Sequence, residues 1–123
     1  MSLAEQINKA IGAHGMWKQR LRSAIDSGKS EYAIADIGKD NLCEFGKWLY
    51  GTDLSPADKA AAEYKAVRDL HARFHQCAAK VLSCALSGDR AAAEASLGNG
   101  GEFTTASAEL TRAMMGWKAK AGG

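Results

Sequence analysis

The chain has 123 residues, 46% of them hydrophobic and 24% charged, with sixteen Lys and Arg against fourteen Asp and Glu for a formal charge of +2. That length is one domain's worth and buries a usable core, so residues 1–123 are expected to form a single domain. The near balance of charge supplies no basic arm for nucleic acid and no acidic tail.

No apolar run approaches the roughly 18–20 residues that span a bilayer, so no membrane insertion is expected. The opening Met1-Ser2-Leu3-Ala4-Glu5 lacks the basic and apolar regions of a secretory signal, and a cytoplasmic location is expected. Three cysteines, none in a C-x-x-C pair, argue against a disulfide framework and for buried thiols or metal ligands.

Apolar residues recur at helical spacing almost throughout. The first predicted helix runs from about Leu3 to Ile25, with Leu3, Ile7, Ile11, His14, Trp17, Leu21 and Ile25 on one stripe and Gly28 as the stop. Lys9, Lys18, Arg20 and Arg22 form its wet face. Residues 29–39 read as a helical turn or an extended loop around Tyr32, Ile34 and Ile37. Asp40 reads as the N-cap of a short helix that carries Cys43, Phe45, Trp48 and Leu49 and stops at Gly51.

Ser55-Pro56-Ala57-Asp58 is the clearest start signal, a capping serine, a proline at the first helical position and an acid closing the box. The third helix is predicted from Pro56 to about Leu86, roughly 45 Å at 1.5 Å per residue. Its stripe includes Tyr64, Val67, His71, Phe74, Cys77, Val81 and Cys84, and Gly88 ends it. Asp89–Leu97 reads as a short helix, and Gly98-Asn99-Gly100-Gly101 as a turn. The last helix carries Phe103, Ala106, Leu110, Met114 and Trp117 on one face. The expected fold is all-α, an antiparallel four-helix bundle with short additional helices.

All three histidines lie on these apolar stripes. His71 and His75, four apart, place two imidazoles on one helix face about 6 Å apart, where they can share a metal ion. With His14 and Cys43 they make three nitrogens and one sulfur from three helices, a set suited to tetrahedral zinc. As the third residue of its helix Cys43 would lie among unpaired N–H groups that favour a thiolate. Gly46, one turn on, would let another helix approach, and Trp17 and Trp48 would wall the site.

These pieces resemble a known family. His14-Gly15-Met16-Trp17, then Cys43-Glu44-Phe45-Gly46-Lys47-Trp48-Leu49-Tyr50-Gly51, then His71-Ala72-Arg73-Phe74-His75 are similar in order and spacing to the chemoreceptor zinc-binding (CZB) domain of bacterial chemotaxis receptors and diguanylate cyclases. The resemblance extends over roughly Ile7 to Lys118. It implies that His14, Cys43, His71 and His75 are the ligands of one zinc ion and that the domain is a homodimeric helical bundle. It also implies a cytoplasmic regulatory role, coupled in cis or trans to a receptor or effector signalling domain that controls chemotaxis or cyclic-di-GMP. Some members of the family respond to zinc availability and others to oxidants such as hypochlorous acid, through the zinc-bound cysteine.

Other readings share some of these residues. A zinc hydrolase with water in place of Cys43 lacks an evident general base. A zinc bundle used only for dimerisation would have the same four ligands. Haem and di-iron bundles are disfavoured because the chain has no C-x-x-C-H and no Glu-x-x-His. Cys77 and Cys84, seven apart, read as small buried hydrophobes. The tryptophans and Met114-Met115 read as core or dimer contacts. The expectation is therefore a zinc-binding regulatory module and not an enzyme.

Overall fold

The computed structural model describes residues 2–121, and all the regular structure in them is helical. Ser2 opens helix α1 (Leu3–Gly15) with a capping box, its hydroxyl accepting from the Glu5 N–H while the Glu5 carboxylate accepts from the Ser2 N–H. Helix α2 (Trp17–Ser27) follows in tandem and ends at Gly28, whose φ of +70° is the left-handed conformation that glycine adopts most cheaply. The single helix expected over Leu3–Ile25 is thus two, broken at Met16. Gly15 lowers the cost of interrupting the helix there. The expected stripe survives the break, with Ile7, His14, Trp17, Leu21 and Ile25 all buried.

A single turn, α3 (Ile34–Ile37), buries Ile37, and α4 (Glu44–Tyr50) follows. The Ser55/Asp58 capping box forms as expected but closes only a short helix, α5 (Pro56–Ala60). Ala61 is extended, and α6 (Ala62–Ser87) starts afresh, so the helix expected over Pro56–Leu86 is divided. None of the α5 residues is buried; burial begins at Tyr64, so no packed face holds α5 in line with α6. Helix α7 (Arg90–Leu97) is capped by Asp89, and α8 is Glu102–Ala121.

The helices form a bundle, in agreement with the all-α expectation. Helix α6 is its axis, about 39 Å long at 1.5 Å per residue. Helix α8 lies antiparallel to it: Lys80 pairs with Glu102, Arg73 with Glu109 and Glu63 with Lys120, so one number falls as the other rises. The α1–α2 tandem runs in the same sense as α6, with His14 beside His71 and Asp26 beside Arg90, just past the α6 end. Phe74 against Phe103 and Trp117 against Trp48 and Tyr64 fill the space between α4, α6 and α8. Among the described residues, no helix is long and apolar enough to cross a membrane.

Candidate metal centre

The four side chains singled out from the sequence converge. His14 comes from α1, His71 and His75 from consecutive turns of α6, and Cys43 from the start of α4. The ligand atoms they offer all lie within 4.8 Å of one another. The His71 Nε2 is 3.0 Å from His14 Nε2 and 3.1 Å from His75 Nε2. The Cys43 Sγ is 3.4, 3.6 and 3.9 Å from the Nε2 atoms of His71, His75 and His14. A tetrahedral zinc with ordinary bond lengths has N–N edges of ~3.3 Å and S–N edges of ~3.6 Å. Five of the six edges are therefore within about 0.3 Å of those of a zinc tetrahedron, and the sixth, between His14 Nε2 and His75 Nε2, is no longer than 4.8 Å.

Hydrogen bonding around the cluster aims its lone pairs inward. His14 Nδ1 lies 2.8 Å from the Ala10 carbonyl oxygen, and His75 Nδ1 lies 2.9 Å from that of Ile37. A carbonyl only accepts, so each Nδ1 carries the proton and each Nε2 presents a lone pair to the centre. Two such lone pairs and a sulfur face His71 Nε2, which cannot satisfy all of them with one proton; a cation can. His71 Nδ1 is buried without a hydrogen-bond partner among the described residues.

The electrostatics agree. Burial pushes His14 down to about 4, against the opposing effect of the Ala10 carbonyl. Burial drives His71 lower still, helped by repulsion from His75 and His14. Burial also lowers His75, opposed by the Ile37 carbonyl and by Asp40. All three imidazoles are therefore neutral at pH 7, the form that binds metal.

The local structure at Cys43 differs from the expected one. Asp40 is not the N-cap of α4, and Cys43 is not its third residue: Cys43 is itself the cap, and its Sγ accepts from the Gly46 N–H at 3.3 Å. Nor is the thiol lowered on balance. Burial pushes it up more than the N–H groups of Gly46 and Phe45 pull it down. A thiolate at Cys43 would therefore require a metal ion to displace its proton. Gly46 makes room for something other than a neighbouring helix, since a Cβ there would overlap the Asp40 carbonyl oxygen of the loop leading into α4. Asp40 also accepts a hydrogen bond from the Tyr50 hydroxyl at the far end of α4.

The walls are partly as expected. Trp17 lines a cleft of about 260 Å³ beside the cluster, together with Ala10, Ala13, Ile37, Leu42 and Phe45. Trp48 sits one layer behind, against Phe45 and Trp117. The rings that touch the imidazoles are Phe45, on His14 and His71, and Phe74, on His14 and His75. Sequence reasoning did not assign these two to the site, although each lies within three residues of a cluster member. The Ala10 and Ile37 carbonyls left no signal, because any residue has a carbonyl.

Cys77 is buried in α6, as expected, with its Sγ 3.4 Å from a Glu102 carboxylate oxygen. Cys84 is only half-buried.

Comparison with known proteins accords with this geometry. Residues 14–82 match the model of the chemoreceptor zinc-binding domain. Over 78 residues the chain is 31% identical to the diguanylate cyclase DgcZ of Escherichia coli (strain K12), an alignment covering 62% of this chain and 26% of that relative. The chain thus spans about a quarter of the length of the curated relative it matches. No solved structure matches. The matched segment takes in more than half of the chain and includes all four clustered side chains, so the chain belongs to the chemoreceptor zinc-binding domain family.

Proposed function

We propose that residues 1–123 form a single sensory domain that binds one zinc ion through His14, Cys43, His71 and His75, with Cys43 as its switchable ligand. The observation that carries this reading is the convergence of three Nε2 atoms and one Sγ, five of whose six separations match those around a tetrahedral zinc. Four protein ligands close the coordination shell, which suits a regulatory or structural zinc better than a catalytic one.

The three histidines project from within two helices, α1 and α6, whereas Cys43 arrives at the end of a loop. Loss of the sulfur ligand is therefore the natural first step in opening the site. Zinc depletion produces it directly. An oxidant produces it covalently: the Cys43 thiolate and hypochlorous acid give a sulfenic acid and chloride, the sulfur losing two electrons and the chlorine gaining them. With one ligand gone, α4 is released from α1 and α6. That repacking is the signal, passed within a cytoplasmic homodimer to a signalling domain in cis or trans. Its output is chemotaxis or, as the name of the DgcZ relative suggests, cyclic-di-GMP synthesis.

The test is elemental analysis of protein purified without added metal. About one zinc per chain is expected in the wild type, with a drop of at least tenfold in zinc affinity for Cys43→Ser. A wild-type protein that stays zinc-free after reconstitution would falsify the reading.

A further inference from the structure

We propose that the hydrogen bond from Tyr50 to Asp40 is a latch that holds Cys43 on the metal, making Tyr50 a positioning residue for zinc retention. The proposal rests on the zinc reading above.

The segment from Ile37 to Cys43 serves the cluster twice. At one end the Ile37 carbonyl accepts from His75 Nδ1 at 2.9 Å; at the other Cys43 supplies the sulfur. Asp40 lies midway, three residues from each, in a stretch with no helical hydrogen-bond ladder. Helix α4 grips this stretch from below and from its far end. Its Gly46 lies directly under the Asp40 carbonyl oxygen, and the hydroxyl of Tyr50, its last residue, donates to the Asp40 carboxylate.

Cys43 caps the same helix, so loop and helix form a closed ring: Asp40 to Cys43 along the chain, Cys43 to Tyr50 along α4, and Tyr50 back to Asp40 through the hydrogen bond. Breaking that bond opens the ring, and the freedom gained at Asp40 reaches both Cys43 and Ile37. The bond is charge-assisted, which makes it strong for its size. It is also solvent-exposed, with 45% of Tyr50 accessible, so water competes for it as it cannot for the buried contacts of His75 and Ile37. Core packing does not require a hydroxyl at this position. Its partner and place are accounted for by the loop it ties down.

The test uses the full chain loaded with zinc and follows metal transfer to an excess of a chromophoric chelator. Tyr50→Phe keeps the ring and every charge, and zinc release is expected to speed up roughly tenfold, the lower end of what loss of an outer hydrogen bond costs a metal site. The cobalt-substituted protein is expected to show a weaker thiolate-to-cobalt charge-transfer band. Asp40→Ala should speed release at least as much, since it also removes a charge that acts on His75, and the double variant should release zinc no faster than Asp40→Ala alone, because both lack the same bond.

Wild-type release from a folded Tyr50→Phe protein overturns the latch, as do single effects that multiply in the double variant. A lower melting temperature with unchanged release marks a merely structural role and overturns it too. If Asp40→Ala does not fold, Tyr50→Phe decides alone. Absence of stoichiometric zinc from the wild type overturns the zinc reading itself, a result distinct from any of these.

Discussion

At the scale of single residues, the centre depends on a few positions where a small change has no room to relax. Gly46 is the sharpest case. Any side chain there drives into the Asp40 carbonyl, and both partners are backbone. Relief has to come from moving the loop, and with it the sulfur of Cys43 three residues away. Gly46→Ala is therefore expected to destabilise the fold by about 3 kcal/mol and to weaken zinc binding. Denaturant unfolding and metal titration check this; a variant with wild-type stability and wild-type zinc affinity would show that the loop gives way freely. The sequence exposes such a glycine only as a missing side chain. What it makes room for depends on a chain reversal between Asp40 and Gly46 that no local pattern encodes.

At the scale of helices, α1 and α6 hold three neutral imidazoles edge to face in an apolar setting. His14 stays neutral in the folded chain down to about pH 4, whereas an unfolded histidine protonates near 6.5. His71 and His75 are lowered in the same direction. Between the two values the unfolded state binds more protons than the folded one, so stability falls as the pH falls. The zinc-free protein is expected to show a lower denaturant midpoint at pH 5 than at pH 7, and a flat profile would contradict the burial of these rings. The spacing of His71 and His75 on one face was legible because an α-helix repeats every 3.6 residues. The break at Met16 left only Gly15 as a local signal, and the restart at Ala61 left none, because it reflects the lack of a buried face on α5.

At the scale of the whole molecule, the proposed ion would tie together α1, α6 and the start of α4, three elements far apart in sequence. Zinc removal by a chelator is expected to lower the melting temperature by several degrees. The stabilisation lost is about 2.7 kcal/mol when free zinc stands a hundredfold above its dissociation constant. Sedimentation velocity on the same samples is expected to give the mass of a dimer in the zinc-bound form. A monomer there contradicts the proposed homodimer, and a melting temperature indifferent to zinc contradicts a metal that braces the bundle. Helix α8 has no residue in the cluster; it packs against both α1 and α6 and buries Phe103, Leu110 and Trp117.

The sequence by itself determined what is local or periodic. Glycines at 28 and 88 stop helices in the left-handed conformation, Ser55 and Asp58 build their capping box, and the stripe of α8 is buried from Phe103 to Trp117. The order of His, Cys-x-x-Gly-x-Trp and His-x-x-x-His was legible as well, because it is carried by side-chain identity and spacing. The tertiary structure decided what depends on distance through space. It made Cys43 a cap, with burial outweighing the helix terminus in setting its protonation. It brought Phe45 and Phe74, rather than Trp48, against the imidazoles, chose the Ala10 and Ile37 carbonyls to orient two of them, and set Tyr50 on Asp40. Helix caps and stripes are settled within a turn or two of chain, whereas desolvation and hydrogen-bond partnership are settled by whichever groups the packed bundle brings together.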